Sequence, residues 1–273
     1  MTKSTSTELT LSKIFRKFGL LTGTLENEGV TLADWQKPID NTTARRNLAA
    51  YLKMGCPKVN NNGETINPTL PDGEELARLI LGDDYLSPED VAKAYGWSYS
   101  DEQLANFANT LPDFEELMWL RSSGYMLVAT APTDMNLLQV RDLDNQLFYS
   151  KSEGWYAESQ HTFSREDVVK AGVWLAIRKE PYPDSRNKTW ADQEKLLAEN
   201  ERVPNTPEVS YAVTAYYKVR GVYLLRGVYV RTSSVDADGD RVFVGYFASA
   251  GLHVGDYWDD LRRSGLGVSS ARE

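Results

Sequence analysis

Two apolar, β-branched segments joined by a short acidic turn constrain the fold of this chain more than any other feature. The first, VYLLRGVYVRTSSV, covers residues 222–235, and the second, RVFVGYF, covers residues 241–247 with a period of two. The DADGD between them has Asp238-Gly239 at its centre, a pair typical of tight hairpin turns. Because a period of two places alternate side chains on opposite faces of a strand, the pattern predicts an antiparallel hairpin.

The DADGD segment also resembles the start of an EF-hand calcium loop. Asp236, Asp238 and Asp240 occupy the first three ligand positions of such a loop. The glycine, however, stands at the fourth position instead of the sixth, and the twelfth position is Phe247 instead of glutamate. The flanking segments are strands rather than helices, so we reject an EF-hand. A weak, exposed cation contact at the three carboxylates stays open.

The first part of the sequence is typical of helices. Helix formers that end in glycine predict helices over 43–55 and 70–82, and Leu76, Leu79 and Ile80 fall on one face of the second. Further helices are predicted from the start signals Ser87-Pro88, Ser100 with Gln103, Thr189, and Thr206-Pro207. The last helix, which should end at Gly221, carries an apolar stripe that we interpret as core: Val209, Ala212, Val213, Tyr216 and Tyr217.

Strand patterns dominate the later part of the sequence. Residues 125–130 and 172–183 each predict a strand, and residues 146–158 predict a hairpin that turns at 152–154. The runs on either side of DADGD add further strands. This change of texture along the chain favours an α+β protein.

The length of the chain predicts two regions. A chain of 273 residues is long for one compact domain, and its apolar fraction of 41% is enough to form a core. We expect a mainly helical N-terminal region over 1–118 and a strand-rich domain over 119–273.

Charge and hydropathy exclude several classes of partner. The net charge is −9 and the isoelectric point is about 5.0, which argues against a nucleic-acid binder because phosphate contacts need clustered lysine and arginine. No apolar run reaches the length of a membrane span, and the first residues do not form a Sec-type signal.

Few residues in the chain are suited to catalysis or metal binding. The single cysteine, Cys56, excludes an intrachain disulfide and a cysteine-based zinc site, and we interpret it as a surface or packing thiol. The two histidines, His161 and His253, are too few for most histidine-based metal sites, and no G-x-S-x-G nucleophile motif accompanies them. We therefore expect no catalytic residue, no metal and no cofactor.

Several segments of the later part resemble the formylglycine-generating-enzyme type of C-type lectin fold. In that fold an R-L-P-T-x-x-E phrase introduces the second helix, and RVPNTPEVSY stands at the corresponding place, from Arg202 to Tyr211. The last strands of the fold contain an R-x-x-x-G motif and close on GFR. The counterparts here are Arg241 with Gly245, and the Gly267-Val268 run that ends in Arg272.

More closely, the chain resembles the variable target proteins of diversity-generating retroelements of archaea, their viruses and small-genome bacteria. The phrases that carry this resemblance are LRSSGYMLVATAPTDMNLLQVRDLDNQLFYSKSEGWYAE and GLHVGDYWDDLRRSGLGVSSAR, and it covers about 85–273. In this family a reverse transcriptase mutates adenines of a template, and the copy replaces the C-terminal segment of the target gene. The resemblance implies a non-catalytic protein that displays variable side chains on a C-type lectin scaffold.

The composition of the C-terminal segment is consistent with such diversification. Adenine substitution in AAC or AAT codons cannot produce Lys, Glu, Gln, Met or Trp. Residues 241–272, which we take as the variable segment, contain no Lys, Glu, Gln or Met. The single tryptophan of the segment, Trp258, would then be a fixed position.

Strand alternation within this segment separates buried from displayed side chains. We expect a fixed framework of Val242, Val244, Phe247, Leu252, Val254, Trp258, Leu266 and Val268. The candidate ligand-binding residues, which we expect to face outward, are Phe243, Tyr246, Ala248, Ser249, His253, Gly255, Asp256, Tyr257, Leu261, Arg262 and Ser264. At a binding surface tyrosine supplies contact area at low entropic cost, while serine and glycine adapt to the partner.

The expected partner is a variable macromolecular ligand, either a protein or a cell surface. We expect the protein itself to lie on a virion or a cell surface, and a cytoplasmic location stays open. The first alternative is an intracellular interaction or regulatory module on the same fold. The second is an oxidase related to the formylglycine-generating enzyme. That chemistry uses a pair of cysteines in the C-terminal domain, and this domain has none. Oligomeric state is not indicated by the sequence.

Overall fold

The computed structural model describes residues 73–273 and, before them, two short strands that pair antiparallel, β1 (Lys58–Val59) and β2 (Thr65–Ile66). The helix predicted over 43–55 and the thiol of Cys56 lie outside these described residues.

The chain divides into two compact units, Met1–Leu70 and Pro71–Glu273. The division expected after residue 118 therefore falls inside the second unit. The helices before this point pack on the same sheet as the strands after it, as the core described below shows.

Within residues 73–273 there are nine α-helices, and none of these is long and apolar enough to cross a membrane. They are α1 (Gly73–Leu81), α2 (Pro88–Tyr95), α3 (Asp101–Asn109), α4 (Phe114–Ser123), α5 (Leu137–Leu143), α6 (Trp155–Glu158), α7 (His161–Arg165), α8 (Trp190–Glu194) and α9 (Thr206–Arg220). Two single 3₁₀ turns follow α1 and α5, at Gly82–Asp84 and Asn145–Leu147.

The strands of this unit form two main sheets and one small ribbon. The strands are β3 (Tyr85–Leu86), β4 (Tyr125–Ala129), β5 (Met135–Asn136), β6 (Val168–Val169), β7 (Trp174–Arg178), β8 (Glu201–Arg202), β9 (Tyr229–Val235), β10 (Arg241–Ala248), β11 (Gly251–Tyr257), β12 (Leu266–Val268) and β13 (Ala271–Arg272). One sheet has the order β3-β4-β7-β13-β8, the other has the order β11-β10-β9-β12, and β5 pairs with β6. The mixture confirms an α+β protein.

The five-stranded sheet is covered on both faces, which explains the continuous apolar run of β4. Met126 and Val128 face the main core, whereas Tyr125 and Leu127 face a second cluster formed with α1 and α4. Strands buried on both faces lose the polar alternation of half-exposed strands. Because α1 and α4 provide one of these two covers, they belong structurally with the sheets.

Helix α9 is the centre of the main core. Every residue from Thr206 to Tyr216 is buried, and the helix contacts strands of both main sheets. The apolar stripe predicted on this helix is buried as expected, except that Tyr217 is half-buried. The helix is surrounded by protein rather than lying on a surface, so it needs no polar face in this stretch.

The predicted helix starts are confirmed by their caps. Ser87 and Ser100 each accept a hydrogen bond from the backbone N–H three residues on, in capping boxes completed by Asp90 and Gln103. Thr189 caps α8 in the same way, through the backbone N–H of Asp192.

Two local expectations are wrong in detail. Residues 146–158 form a 3₁₀ turn and the short helix α6 rather than a hairpin. Leu79 is 49% exposed, because α1 turns Ala77 and Ile80 to the core instead. Helix α9 begins at Thr206 as predicted, and its cap is the preceding Asn205.

The predicted hairpin around DADGD is confirmed. Strands β9 and β10 pair antiparallel, with Val235 opposite Arg241, and Gly239 has a φ of 94° in the turn. One carboxylate oxygen of Asp236 accepts hydrogen bonds from the backbone N–H groups of Asp238 and Asp240, at 2.9 and 2.8 Å. The first aspartate of the motif therefore stabilises the turn itself.

A bulge near the end of β10 depends on glycine. The register with β11 shifts between Gly245 and Ala248, and Tyr246 has a φ of 48°. A Cβ atom on Gly245 would lie 2.2 Å from the carbonyl oxygen of Val228, which accepts the Tyr246 N–H at 2.8 Å. Only glycine allows the two backbones to approach this closely.

We predict that Gly245→Ala lowers the free energy of unfolding by about 2–4 kcal/mol, because the added methyl group collides with rigid backbone. Denaturant unfolding measures this difference. Gly265→Ala is the matched control, since its Cβ would meet no atom within 4 Å. Equal stability of the two variants would contradict the requirement for glycine at the bulge.

Candidate ligand-binding surface

The four-stranded sheet has one buried face and one face directed away from the core. In its register Val244 lies opposite Val230 and Val254, and Phe243 lies opposite Arg231 and Gly255. Because facing residues share a side of the sheet and neighbours alternate, these two sets occupy opposite faces. The inner face, with Val230 and Val244, packs in the main core against α9. By this register the outer face contains four of the predicted ligand-binding residues, Phe243, His253, Gly255 and Tyr257.

A row of stacked side chains, here called the aromatic strip, crosses this outer face. It runs from Tyr246 through Tyr229 and Phe243 to Tyr257, and its consecutive ring centroids are 4.7, 4.5 and 4.5 Å apart. Arg263 completes the strip, with its guanidinium 5.1 Å from the ring centre of Tyr257 and a hydrogen bond to the Tyr257 hydroxyl. Ring stacking at these distances holds the strip in one arrangement.

The strip packs closely on the backbone of the neighbouring strand. A Cβ atom on Gly255 would lie 2.7 Å from the Phe243 ring, so the glycine leaves the space in which the ring lies. Phe243 is therefore 8% exposed, covered between Tyr229 and Tyr257. The expectation of an exposed Phe243 is wrong, because outward direction on a strand does not imply contact with solvent.

A buried arginine connects the outer face to the loop that follows β11. Arg231 is fully buried, and its guanidinium donates hydrogen bonds to the carbonyl oxygens of Trp258 and Leu261 at 3.0 and 2.9 Å. It also donates to the Gln193 side chain at 3.0 Å and to the Lys188 carbonyl at 3.3 Å. Burial lowers the pKa of this guanidinium from its usual value. The loop over residues 258–264 is therefore held to the sheet through its backbone.

Trp258 belongs to this loop and is 58% exposed. The sheet holds its carbonyl group rather than its indole ring, so a position that we predict to be fixed nevertheless has an exposed side chain. A large exposed aromatic ring beside the aromatic strip is a feature of binding surfaces rather than of cores.

A second aromatic pair lies at the other end of β11. The rings of Tyr149 and His253 stack at 4.2 Å, and the Tyr149 N–H donates to the Leu252 carbonyl at 3.0 Å. Tyr149 is 62% exposed. Burial lowers the pKa of His253 below its ordinary value of 6.5. The segment before α6 thus adds an exposed aromatic side chain next to the predicted surface.

The eleven predicted residues differ in exposure. The exposed members are Tyr246, Ser249, Arg262 and Ser264; the half-buried members are Ala248, His253, Gly255, Asp256, Tyr257 and Leu261; and Phe243 is buried. Of the expected framework, Val242, Val244, Phe247, Leu252, Leu266 and Val268 are buried as predicted, and Val254 is half-buried.

Strand alternation places Asp256 on the opposite side of the sheet from the outer face. It lies opposite Val242, and its carboxylate is within 4.8 Å of those of Asp236 and Asp240. Burial and the neighbouring carboxylates raise the pKa of both Asp240 and Asp256. The carboxylates that the fold brings together thus include Asp256 and omit Asp238, which differs from the set read from the motif.

Sequence reasoning missed several residues of this surface. Tyr229 and Arg231 lie on the outer face of β9, which alternation would have indicated once the strand was known to begin at Tyr229. Tyr149 and Arg263 come from loops, and nothing in their local sequence indicates that they lie beside β11. Their places depend on contacts between distant parts of the chain.

Comparison of the chain with protein-family models, with curated protein sequences and with solved structures found no match in any of the three. The resemblance described from the sequence therefore stays a prediction, and the site has to be interpreted from its own geometry.

We predict that Arg231→Met lowers the free energy of unfolding by about 2–4 kcal/mol, because it leaves buried acceptors without a donor. Thermal or denaturant unfolding gives the value. Arg262→Met is the control: Arg262 is exposed and its contact to Asp192 is 3.7 Å long, so we expect a change below about 0.5 kcal/mol. A similarly small loss in Arg231→Met would show that the loop does not depend on the guanidinium.

His253 should give the protein a stability that depends on pH. The folded state disfavours the protonated imidazole. The stability that the neutral imidazole contributes is therefore present above pH 6.5 and is lost as the pH falls below that value. His253→Gln should reduce the fall in melting temperature between about pH 7.5 and about pH 5.5. Parallel melting curves for the two proteins over this range provide the measurement, and identical slopes would contradict the assignment.

Proposed function

We propose that this protein is a non-catalytic ligand-binding protein that presents variable side chains of residues 241–272 on the outer face of its four-stranded sheet. The observation that carries the proposal is the separation of the two faces. The inner face is part of a fully packed core, whereas the outer face carries a pre-stacked aromatic strip with exposed side chains at its margin.

The chemistry of this surface suits a macromolecular partner. Tyr246, Trp258 and Tyr149 are 47%, 58% and 62% exposed, although large aromatic side chains are costly to leave in water. Stacking and the bulge restrict the rotation of Tyr246, so that binding costs little additional order. Ser249 and Ser264 are exposed and small. Rigid tyrosines beside adaptable small residues are typical of protein-binding surfaces.

Contacts of the motif residues support the resemblance to the formylglycine-generating-enzyme type of C-type lectin fold. Arg202 and Glu208, which occupy the first and last positions of the RVPNTPE phrase, form a two-pronged ion pair of 2.8 and 2.6 Å. The pair connects β8 to the start of α9 and gives a physical reason for that spacing.

Both residues of the second motif, Arg241 and Gly245, also have structural roles. The Arg241 guanidinium lies 4.4 Å from the ring centre of Trp190 and 3.8 Å from the Asp259 carboxylate, so it connects β10 to α8 and to the 258–264 loop. Gly245 allows the bulge that turns Tyr246 outward. These roles are structural, and they support a fixed scaffold beneath varying positions.

Diversification by a retroelement is the further part of the proposal. Four of the predicted positions are exposed, and of these only Tyr246 stacks on another side chain, that of Tyr229. Phe243 and Gly255 are different, because the ring occupies the space that a side chain at 255 would need. A residue larger than glycine at position 255 would therefore require a smaller residue at position 243.

The test is a display library in which Tyr246, Ser249, Arg262 and Ser264 are randomised together. We expect most clones to melt within about 4 °C of the starting protein, because the loss per exposed substitution is small. Selection against a panel of purified proteins should yield binders with different specificities. Flow cytometry measures binding, and melting temperatures measure folding.

The matched control randomises Val242, Val244, Leu252 and Leu266, which are buried in the same segment. We expect most of these clones to unfold. A library of exposed positions that unfolds as often as this control, or that yields no binder, would contradict the proposal. Diversification itself is tested in the flanking DNA, where a near-copy of the codons for 241–272 that differs mainly at adenines should lie beside a reverse transcriptase gene.

A further inference from the structure

A cavity of about 480 Å³ lies between the end of β7 and the segment that precedes β9. Residues 178–181 and Arg186 form one side, and residues 223–226 with Val228 form the other. The volume falls in the range of small-molecule sites. None of the predicted display positions lines this cavity, so any ligand it binds is separate from the display surface.

The walls of the cavity concentrate positive charge in an acidic protein. Three arginines, Arg178, Arg186 and Arg226, line it, together with Lys179 and one acidic residue, Glu180. Lys179 already binds the Asp84 carboxylate at 2.7 and 2.8 Å. Within residues 73–273, no carboxylate, that of Glu180 included, lies within 4.0 Å of the guanidinium nitrogens of these three arginines.

Some other arginines within residues 73–273 lie near a carboxylate, whereas Arg121 and Arg231 donate to carbonyl or amide oxygens instead. Carboxylates lie within 4 Å of Arg202, Arg220, Arg241, Arg262 and Arg272. With a net charge of −9 the chain has carboxylates in excess, yet among residues 73–273 the three arginines share this cavity with a single carboxylate, Glu180, and form an ion pair with none. Unpaired guanidinium groups that converge on a cavity indicate an anionic ligand.

Arg178 is held in place for such a role. Its guanidinium lies 5.7 and 5.6 Å from the ring centres of Tyr125 and Tyr182, and its backbone N–H donates to the Ser270 carbonyl at 2.9 Å. Its Nε is buried and has no hydrogen-bond acceptor. The two ring contacts and the backbone hydrogen bond hold this arginine in place beside the cavity.

The remaining wall is apolar. Pro181 and Leu225 are buried beside it, and Tyr223 stacks on Tyr217 with ring centroids 4.2 Å apart. Leu225 has a φ of 52°, which a leucine adopts only when its surroundings require it. A ligand that fills the cavity would therefore place an anionic group near the arginines and an apolar body against this wall.

We propose that this cavity binds a small organic anion, a phosphate or carboxylate carried on an apolar or aromatic body. Both anions match the planar fork of a guanidinium group, and the apolar wall selects for the body to which the anion is attached. The site is independent of the variable segment, so it would have the same ligand in proteins that differ in their display residues.

The experiment measures binding of four probes to the full chain by isothermal titration calorimetry: phenyl phosphate, benzoate, inorganic phosphate and benzyl alcohol. We expect saturable binding of phenyl phosphate or benzoate, and the tighter of the two identifies the anion. Benzyl alcohol, which lacks the charge, should not bind. Inorganic phosphate should bind more weakly than phenyl phosphate, because it makes no contact with the apolar wall.

The test variant is Arg186→Gln combined with Arg226→Gln, since both side chains are exposed and their replacement leaves the core unchanged. Binding should weaken at least about tenfold. Arg165→Gln, an exposed arginine outside the cavity, is the matched control and should bind as the original protein does. Absence of saturable binding, unchanged binding in the double variant, or equal binding of the uncharged or inorganic probe would each overturn the proposal.

Discussion

The buried guanidinium of Arg231 is the interaction on which the candidate surface depends. It connects three parts of the chain that are distant in sequence: strand β9, helix α8 through Gln193, and the 258–264 loop through the carbonyl groups of Trp258 and Leu261. Arginine suits this position because one planar group supplies several donors at fixed angles. Its contacts to the loop are with backbone atoms, so the side chains of the loop can change without loss of the anchor.

The separation of core and surface has the same physical basis throughout the sheet. Strand alternation sends Val242 and Val244 into the core around α9, while their neighbours turn outward. Residues that pack inward contribute most of the stability, and outward residues contribute little unless they pack on one another. Phe243 is such a case, since its ring fills the space above Gly255. A scaffold of this kind tolerates exchange at its margin better than at its centre.

Two proposals with different chemistry follow from one fold. The display surface is aromatic and lies on the outer face of the four-stranded sheet, whereas the cavity is cationic and lies between β7 and the segment before β9. Val228 is the connection between them, because it lines the cavity and its carbonyl group accepts the Tyr246 N–H. The two sites nevertheless use different side chains, and their experiments can succeed or fail separately.

The sequence by itself determined the features that depend on neighbours within a few residues. Ser87 and Ser100 cap their helices through groups three positions away, and Asp238-Gly239 turns the hairpin. Alternation likewise separated most of the framework from the outer face. Tertiary structure alone decided the exposure of Phe243 and Trp258, because each depends on which distant segment covers it. A strand pattern specifies the direction of a side chain, but only the packing of the whole chain decides what lies in that direction.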